Sequence, residues 1–138
     1  MKQSIKPIIW GPHGWEFMHY VSFGYPDNPS NKDKNDYKTF YYSLQNILPC
    51  EKCSENYKLN LIHDPIDNHL DSRDSLIKWV IDIHNKVNKE TGEKVLNYEE
   101  AISLYSNEES SFIENCVKLT IVLLIILIIY LFSKSKFI

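Results

Sequence analysis

The sequence predicts an all-α protein: a four-helix bundle with a short fifth helix, followed by a C-terminal transmembrane helix. Three observations carry this. Apolar residues recur at three- and four-residue intervals in segments bounded by Pro, Gly and polar caps. Alternating strand-like runs and hairpin turns are missing, and a long aliphatic run lies near the end of the 138-residue sequence. A chain of this length holds one compact domain besides that run.

The first helical signal opens at Gly11-Pro12, with Gly as a tolerated cap and Pro suited to the first helical position. Trp15, Met18, His19 and Ser22 then share a face, and Gly24-Tyr25-Pro26 ends the helix. The polar stretch Asp27 to Asp36 reads as a loop. Tyr37, Phe40, Tyr41, Leu44, Ile47 and Leu48 form the second helix, stopped by Pro49, and Cys50, Cys53, Tyr57 and Leu61 mark the third. After His63-Asp64-Pro65, Ser72 caps a fourth helix with a core stripe of Leu76, Val80, Ile83 and Val87, running to about Glu90. Gly92 ends it, and residues 97–105 supply one or two further turns. The expected organisation is a domain over 1–106, a polar linker over 107–115, a membrane anchor over 116–132 and a short tail over 133–138.

The anchor rests on LTIVLLIILIIYLF from Leu119 to Phe132, which extends back to Cys116 with only Lys118 interrupting. Its 17 residues are the lower limit for a spanning helix, and it is apolar all round where a core helix would show a polar stripe. Lys134 and Lys136 suit a headgroup interface. If this is a tail anchor, only residues 133–138 cross and the preceding domain stays cytosolic. The rest of the chain is mildly acidic, without a basic tract, so nothing points to nucleic acid. Its many Ile, Asn and Lys, with Arg73 and Ala101 the sole Arg and Ala, fit an AT-rich genome. Three cysteines are too few for a disulfide-stapled secreted scaffold.

Cys50 and Cys53 make a CxxC directly after Pro49. Cys50 therefore begins a helix, where unpaired backbone N–H groups favour a thiolate. Periodicity puts Cys50 at the open end and Cys53 at the head of a buried stripe, so one sulfur meets a partner while the other faces the interior. A zinc site from Cys50, Cys53, His63 and His69 stays open, although the Cys53–His63 interval is short and Pro65 lies between the histidines. On the fourth helix His84, Asn85 and Asn88 lie beside the core stripe; each alone reads as a satisfied histidine or a surface amide. Together with Trp15 and His19 one turn apart, and Trp10 and Tyr25 nearby, they suit a planar, polar-rimmed ligand.

The segments Trp15-x3-His19 with Tyr25-Pro26, Pro49-Cys50-Glu51-Lys52-Cys53 and His84-Asn85-Lys86-Val87-Asn88 occur in an order and at intervals that resemble the Erv/ALR family of FAD-linked sulfhydryl oxidases. The resemblance covers residues 10 to about 98. It implies a bundle that cradles the flavin of FAD, usually as a homodimer. It also implies catalysis by Cys50 and Cys53, no metal, and cofactor contacts from Gly11, Trp15, His19, Tyr25, His84, Asn85, Val87, Asn88, Lys94 and Tyr98. The implied reaction takes electrons from a thiol-containing protein substrate and passes them to molecular oxygen, giving hydrogen peroxide. Three departures stand out. A structural disulfide of many members would fall at Ile81 and Tyr98; the basic residue before the first-helix Trp is replaced within Pro12-His13-Gly14; and no second cysteine pair exists, Cys116 being single. Electrons must then arrive directly from a partner's dithiol. Membrane-bound short versions from large cytoplasmic DNA viruses resemble this chain in those respects.

Overall fold

A computed structural model describes residues 4–106, 115–126 and 128. Residues 4–105 belong to one compact unit made of helices α1 (Pro7–Phe23), α2 (Asn31–Ile47), α3 (Glu51–His63), a 3-10 turn at Ile66–His69, α4 (Arg73–Thr91) and α5 (Tyr98–Tyr105). Among the described residues there is no strand.

The chain's own caps set these limits. Ser30 accepts from the Asp33 amide while Asp33 accepts from Ser30, a reciprocal box that starts α2 six residues before the apolar pattern does. The expected loop through Asp36 is thus shortened, because the first turns of α2 face water and carry no apolar signal. Likewise α1 starts at Pro7 rather than at Gly11-Pro12, with Pro12 inside it. Pro12 removes the amide that would bond the Ile8 carbonyl, and that turn lies on the exposed side, where water can serve instead. Ser72 caps α4, and Gly92 ends it in the left-handed region at φ 78°, as read from the sequence.

Helix α1 packs on α4 and α2 on α3. Their shared core holds Met18, Tyr25, Tyr41, Leu44, Tyr57, Leu61, Leu76, Trp79, Val80 and Ile83. Three of its polar groups are spent on backbone: Tyr41 donates to the Met18 carbonyl at 2.8 Å, Tyr25 to that of Leu70 at 2.9 Å and Trp79 to that of Asp64 at 3.0 Å. Each bond joins segments distant in sequence, so burying these hydroxyl and indole groups fixes how the segments pack as well as adding apolar area. A smaller cluster of Ile77, Ile81 and Ala101, with Phe23, Leu96 and Ile102 against it, docks α5.

Ile81 occupies the position of the missing staple, and Tyr98, its expected counterpart, donates instead to the Asp82 carboxylate. Packing thus holds α5 without the covalent link, as the residues at those two positions led one to expect. Ile81→Ala should therefore cost about 2–5 kcal/mol, read as a lower urea midpoint, with α5 the first segment to lose amide protection.

The second unit, 106–138, is described only in part. Its backbone is helical over 115–126, and Val117, Leu119 and the aliphatic residues 121–126 are exposed. Among the described residues no helix is long and apolar enough to cross a membrane. Most of the expected linker, the end of the expected anchor and the expected tail lie outside the described residues.

Candidate active site

Cys50 is the N-cap of α3: its backbone is extended, and its sulfur accepts from the Cys53 amide at 3.2 Å. The two cysteines are joined as a disulfide, with Cα atoms 5.2 Å apart. One turn is enough to bring them together, and Pro49, which cannot extend α2, makes the break that lets α3 begin there.

Both sulfurs belong to residues lining a cavity of about 370 Å³. Helix α1 contributes Trp10, Gly11, Trp15 and Met18, α3 contributes Asn56 and Tyr57 beyond the cysteines, and α4 contributes Val87, Glu90 and Thr91. Trp10 lies over Gly14, where an added Cβ would meet the indole ring at 3.1 Å, so the glycine gives this aromatic wall its place. The exposure expected of the two cysteines is corrected. Cys50 is the buried one at 9%, and Cys53 is half-buried. The reason is the N-terminal segment: the Ile5 amide donates to the Pro49 carbonyl at 2.7 Å, and Pro7 and Trp10 close in beside Cys50.

Beside the cavity, Trp15 stacks on His84 with ring centroids 4.2 Å apart, and His84 Nδ1 lies 3.0 Å from His19 Nε2. A bond between two imidazole nitrogens needs one proton, so one ring donates and the other accepts. Burial, reinforced by the nearby His84, lowers the His19 pKa from 6.5 to about 3; burial lowers that of His84 to about 4. Both rings are therefore neutral at physiological pH. A face of His19 stacks on Tyr105 at 3.9 Å, and its buried Nδ1 has no partner among the described residues.

The structure thus gathers Gly11, Trp15, Cys50, Cys53 and Val87 around one cavity and sets His19 and His84 against Trp15. The other expected site residues are placed differently. Asn85 clamps Leu96 by two backbone bonds of 2.8 and 3.1 Å, and Asn88 donates to the Lys94 carbonyl at 2.9 Å; both amides hold the connection between α4 and α5. Tyr25 is a core residue, Lys94 lies 3.3 Å from Glu100, and Tyr98 faces Asp82. Of the alternative zinc set, the cysteines are bonded to each other and His69 to Asp64. Among the described residues no group of three or more His, Cys, Asp or Glu could hold a metal ion. Sequence reasoning passed over Asn56, Glu90 and Tyr105. Asn56 is three residues from Cys53 and Glu90 three from Val87, a helical spacing that could have found them; the stacking of Tyr105 depends on how α5 docks and leaves no local signal.

A model of the Erv1/Alr family matches residues 12–106, which includes every helix from α2 to α5 and most of α1. The chain belongs to the Erv1/Alr family. Over 99 residues it is 50% identical to a probable FAD-linked sulfhydryl oxidase, R368, of Acanthamoeba polyphaga mimivirus, covering 71% of this chain and 69% of that one. It is 31% identical over 87 residues to the mitochondrial FAD-linked sulfhydryl oxidase erv1 of Schizosaccharomyces pombe, covering 63% of this chain and 48% of that relative. Among solved structures, the yeast Erv1 core superposes with a TM-score of 0.66 at 25% identity, over 70% of this chain and 80% of that one.

The histidine pair gives this Erv1/Alr domain a pH signature. Above pH 6.5 both rings are neutral whether the chain is folded or unfolded. As the pH falls below 6.5 the unfolded chain takes up protons that the folded one refuses until about pH 4 and 3, so stability declines through that window. The urea midpoint of the flavin-free domain should fall between about pH 6.5 and 5.5, above the range in which ordinary carboxylates titrate, and His84→Phe should flatten the slope.

Proposed function

We propose that this chain is an FAD-linked sulfhydryl oxidase that introduces disulfides into partner proteins and delivers the electrons to oxygen as hydrogen peroxide. The observation that carries the reading is the placement of a CxxC disulfide on the wall of a cavity walled by Trp10 and Trp15. The residues fit FAD. The cavity is within the range for a planar cofactor, and its walls are mostly aromatic and aliphatic, with Lys52, Asn56, Glu90 and Thr91 supplying polar groups for a polar-rimmed ligand.

In the proposed mechanism the N-terminal segment beside Cys50 moves aside and a substrate thiolate attacks the Cys50 sulfur, forming a mixed disulfide and releasing Cys53 as a thiolate. A second substrate thiolate attacks the substrate's sulfur, so the substrate leaves as a disulfide and Cys50 is released. The helix N-terminus at Cys50 steadies that thiolate. Two electrons now reside in the cysteine pair, and Cys53, facing the cavity, gives them up while Cys50 re-forms the bond. Bound FAD supplies the two-electron relay from this pair to oxygen, giving one hydrogen peroxide per disulfide. Trp15, stacked on His84, fixes one cavity wall, and the neutral His19–His84 pair offers hydrogen bonds without a charge.

A homodimer is part of the proposal, supported by the exposed Phe17 and Tyr20 on α1 and the edge of Phe40 against Phe17. So is a single-pass membrane anchor over 116–132 with a cytosolic domain, supported by the aliphatic sequence there. Disulfide formation in a reducing compartment suits a virus that assembles in the cytoplasm.

Residues 1–106, purified, should be yellow with about one FAD per chain; a colourless protein overturns the reading. Cys50→Ser should leave a Cys53 thiolate against the oxidised flavin and show a long-wavelength charge-transfer band that grows with pH. Cys53→Ser should lack the band yet trap a mixed disulfide through Cys50, and both should lose turnover. A band in Cys53→Ser alone reverses the assignment.

For the anchor, the full chain should resist alkaline extraction from membranes while one ending at Ser111 is released. Release of both would remove the anchor from the proposal.

A further inference from the structure

One feature of the cavity rim is not used by the cysteine chemistry. Asn56 lies three residues beyond Cys53 on α3, and Glu90 three beyond Val87 on α4; both line the cavity. The Asn56 amide donates to Glu90 Oε2 at 3.0 Å, bridging the two helices. That bond uses one of two amide hydrogens and one of two carboxylate oxygens. One donor and one acceptor therefore remain side by side at the cavity.

An isoalloxazine ring is apolar at one end, and at the other has a pyrimidine edge that reads acceptor, donor, acceptor: a carbonyl, the N3–H and a second carbonyl. The ring carbon that accepts thiolate electrons is bonded to one of those carbonyl carbons. If that carbon is offered to Cys53, the pyrimidine edge lies close by, and one helical turn from Cys53 along the same face stands Asn56. Trp10, Trp15, Met18 and Leu48 supply the apolar and aromatic lining for the rest of the ring. The two charged residues of the lining are Lys52 and Glu90, and of these only the carboxylate can accept from an N–H.

We infer that Asn56 and Glu90 read the pyrimidine edge of the flavin, Glu90 accepting from N3–H and Asn56 donating to the adjacent carbonyl, and so orient the ring toward Cys53. The inference rests on the FAD reading above. It makes the pair positioning residues: they hold the ring and take no part in bond exchange.

The test compares FAD with an FAD carrying a methyl group at N3, titrated into the flavin-free full chain and followed by quenching of flavin fluorescence. Wild type should bind FAD roughly tenfold more tightly than the N3-methyl form, the worth of one hydrogen bond to a charged group. Glu90→Ala should bring the two to near equality, while Glu90→Gln, which keeps an acceptor oxygen, should retain most of the preference. Asn56→Ala should weaken both forms, since both carry the carbonyl. Glu90 is exposed, so its variants should keep the helical circular dichroism of wild type.

Failure of wild type to bind FAD at all sinks the oxidase reading rather than this inference alone. If wild type binds FAD but tolerates the N3-methyl equally, or if Glu90→Ala keeps the full preference, the assignment of Glu90 is wrong. An Asn56→Ala variant that binds both forms like wild type removes Asn56 from it.

Discussion

The structure depends on the seam between α1 and α4, where Trp15 lies flat on His84 and His84 meets His19. This contact is made by the buried His19 and the half-buried Trp15 and His84, and it joins two segments 65 residues apart in sequence through the imidazole pair. Because α4 carries one wall of the cavity and α1 another, the cavity exists only if these helices meet in this register. The cysteine pair is presented by α3, which reaches the seam through the core around Tyr57, Leu61 and Trp79. The chemistry is therefore built on one element and the space for it on two others. A fault in the stacking would displace the space without touching the sulfurs.

The seam is also where burial works against charge. Two imidazoles side by side in a dry place cannot both be protonated, and each resists its first proton because water is excluded. Their neutrality leaves a proton that either nitrogen can carry, which suits a site meant to contact a ligand by hydrogen bonds. Tyr105 completes the arrangement by covering a face of His19, tying the fifth helix to the first.

What could be read from the sequence followed from local rules. The second and fourth helices announced themselves by Leu44, Leu76, Val80 and Ile83 at helical spacing, and Gly92 and Ser72 marked ends that the backbone confirms. The two early helix starts were hidden because Asn31 to Asp36 and Pro7 to Trp10 carry no regular apolar stripe; only the Ser30–Asp33 pair spoke for the former. In the site, the aromatic and cysteine members could be read from residue type. The clamping work of Asn85 and Asn88 could not, since it is done on backbone atoms of a segment whose path no side-chain pattern reports. The relative exposure of the two cysteines was misread for a similar reason: helical phase says which way a side chain points and nothing of an N-terminal segment that folds back over it.

The bond between Cys50 and Cys53 spans a sequence separation of three. A crosslink across so short a loop removes little freedom from the unfolded chain, in contrast to one that closes dozens of residues. When it opens, Cys50 remains at the head of α3, and an ionised sulfur is a better acceptor for the Cys53 amide than a bonded one. The fold consequently has almost nothing to lose when the pair is reduced. A tool that must break and remake one of its own covalent bonds in every cycle is here kept out of the scaffold's cohesion, so oxidised and reduced chains can share one shape and one lifetime.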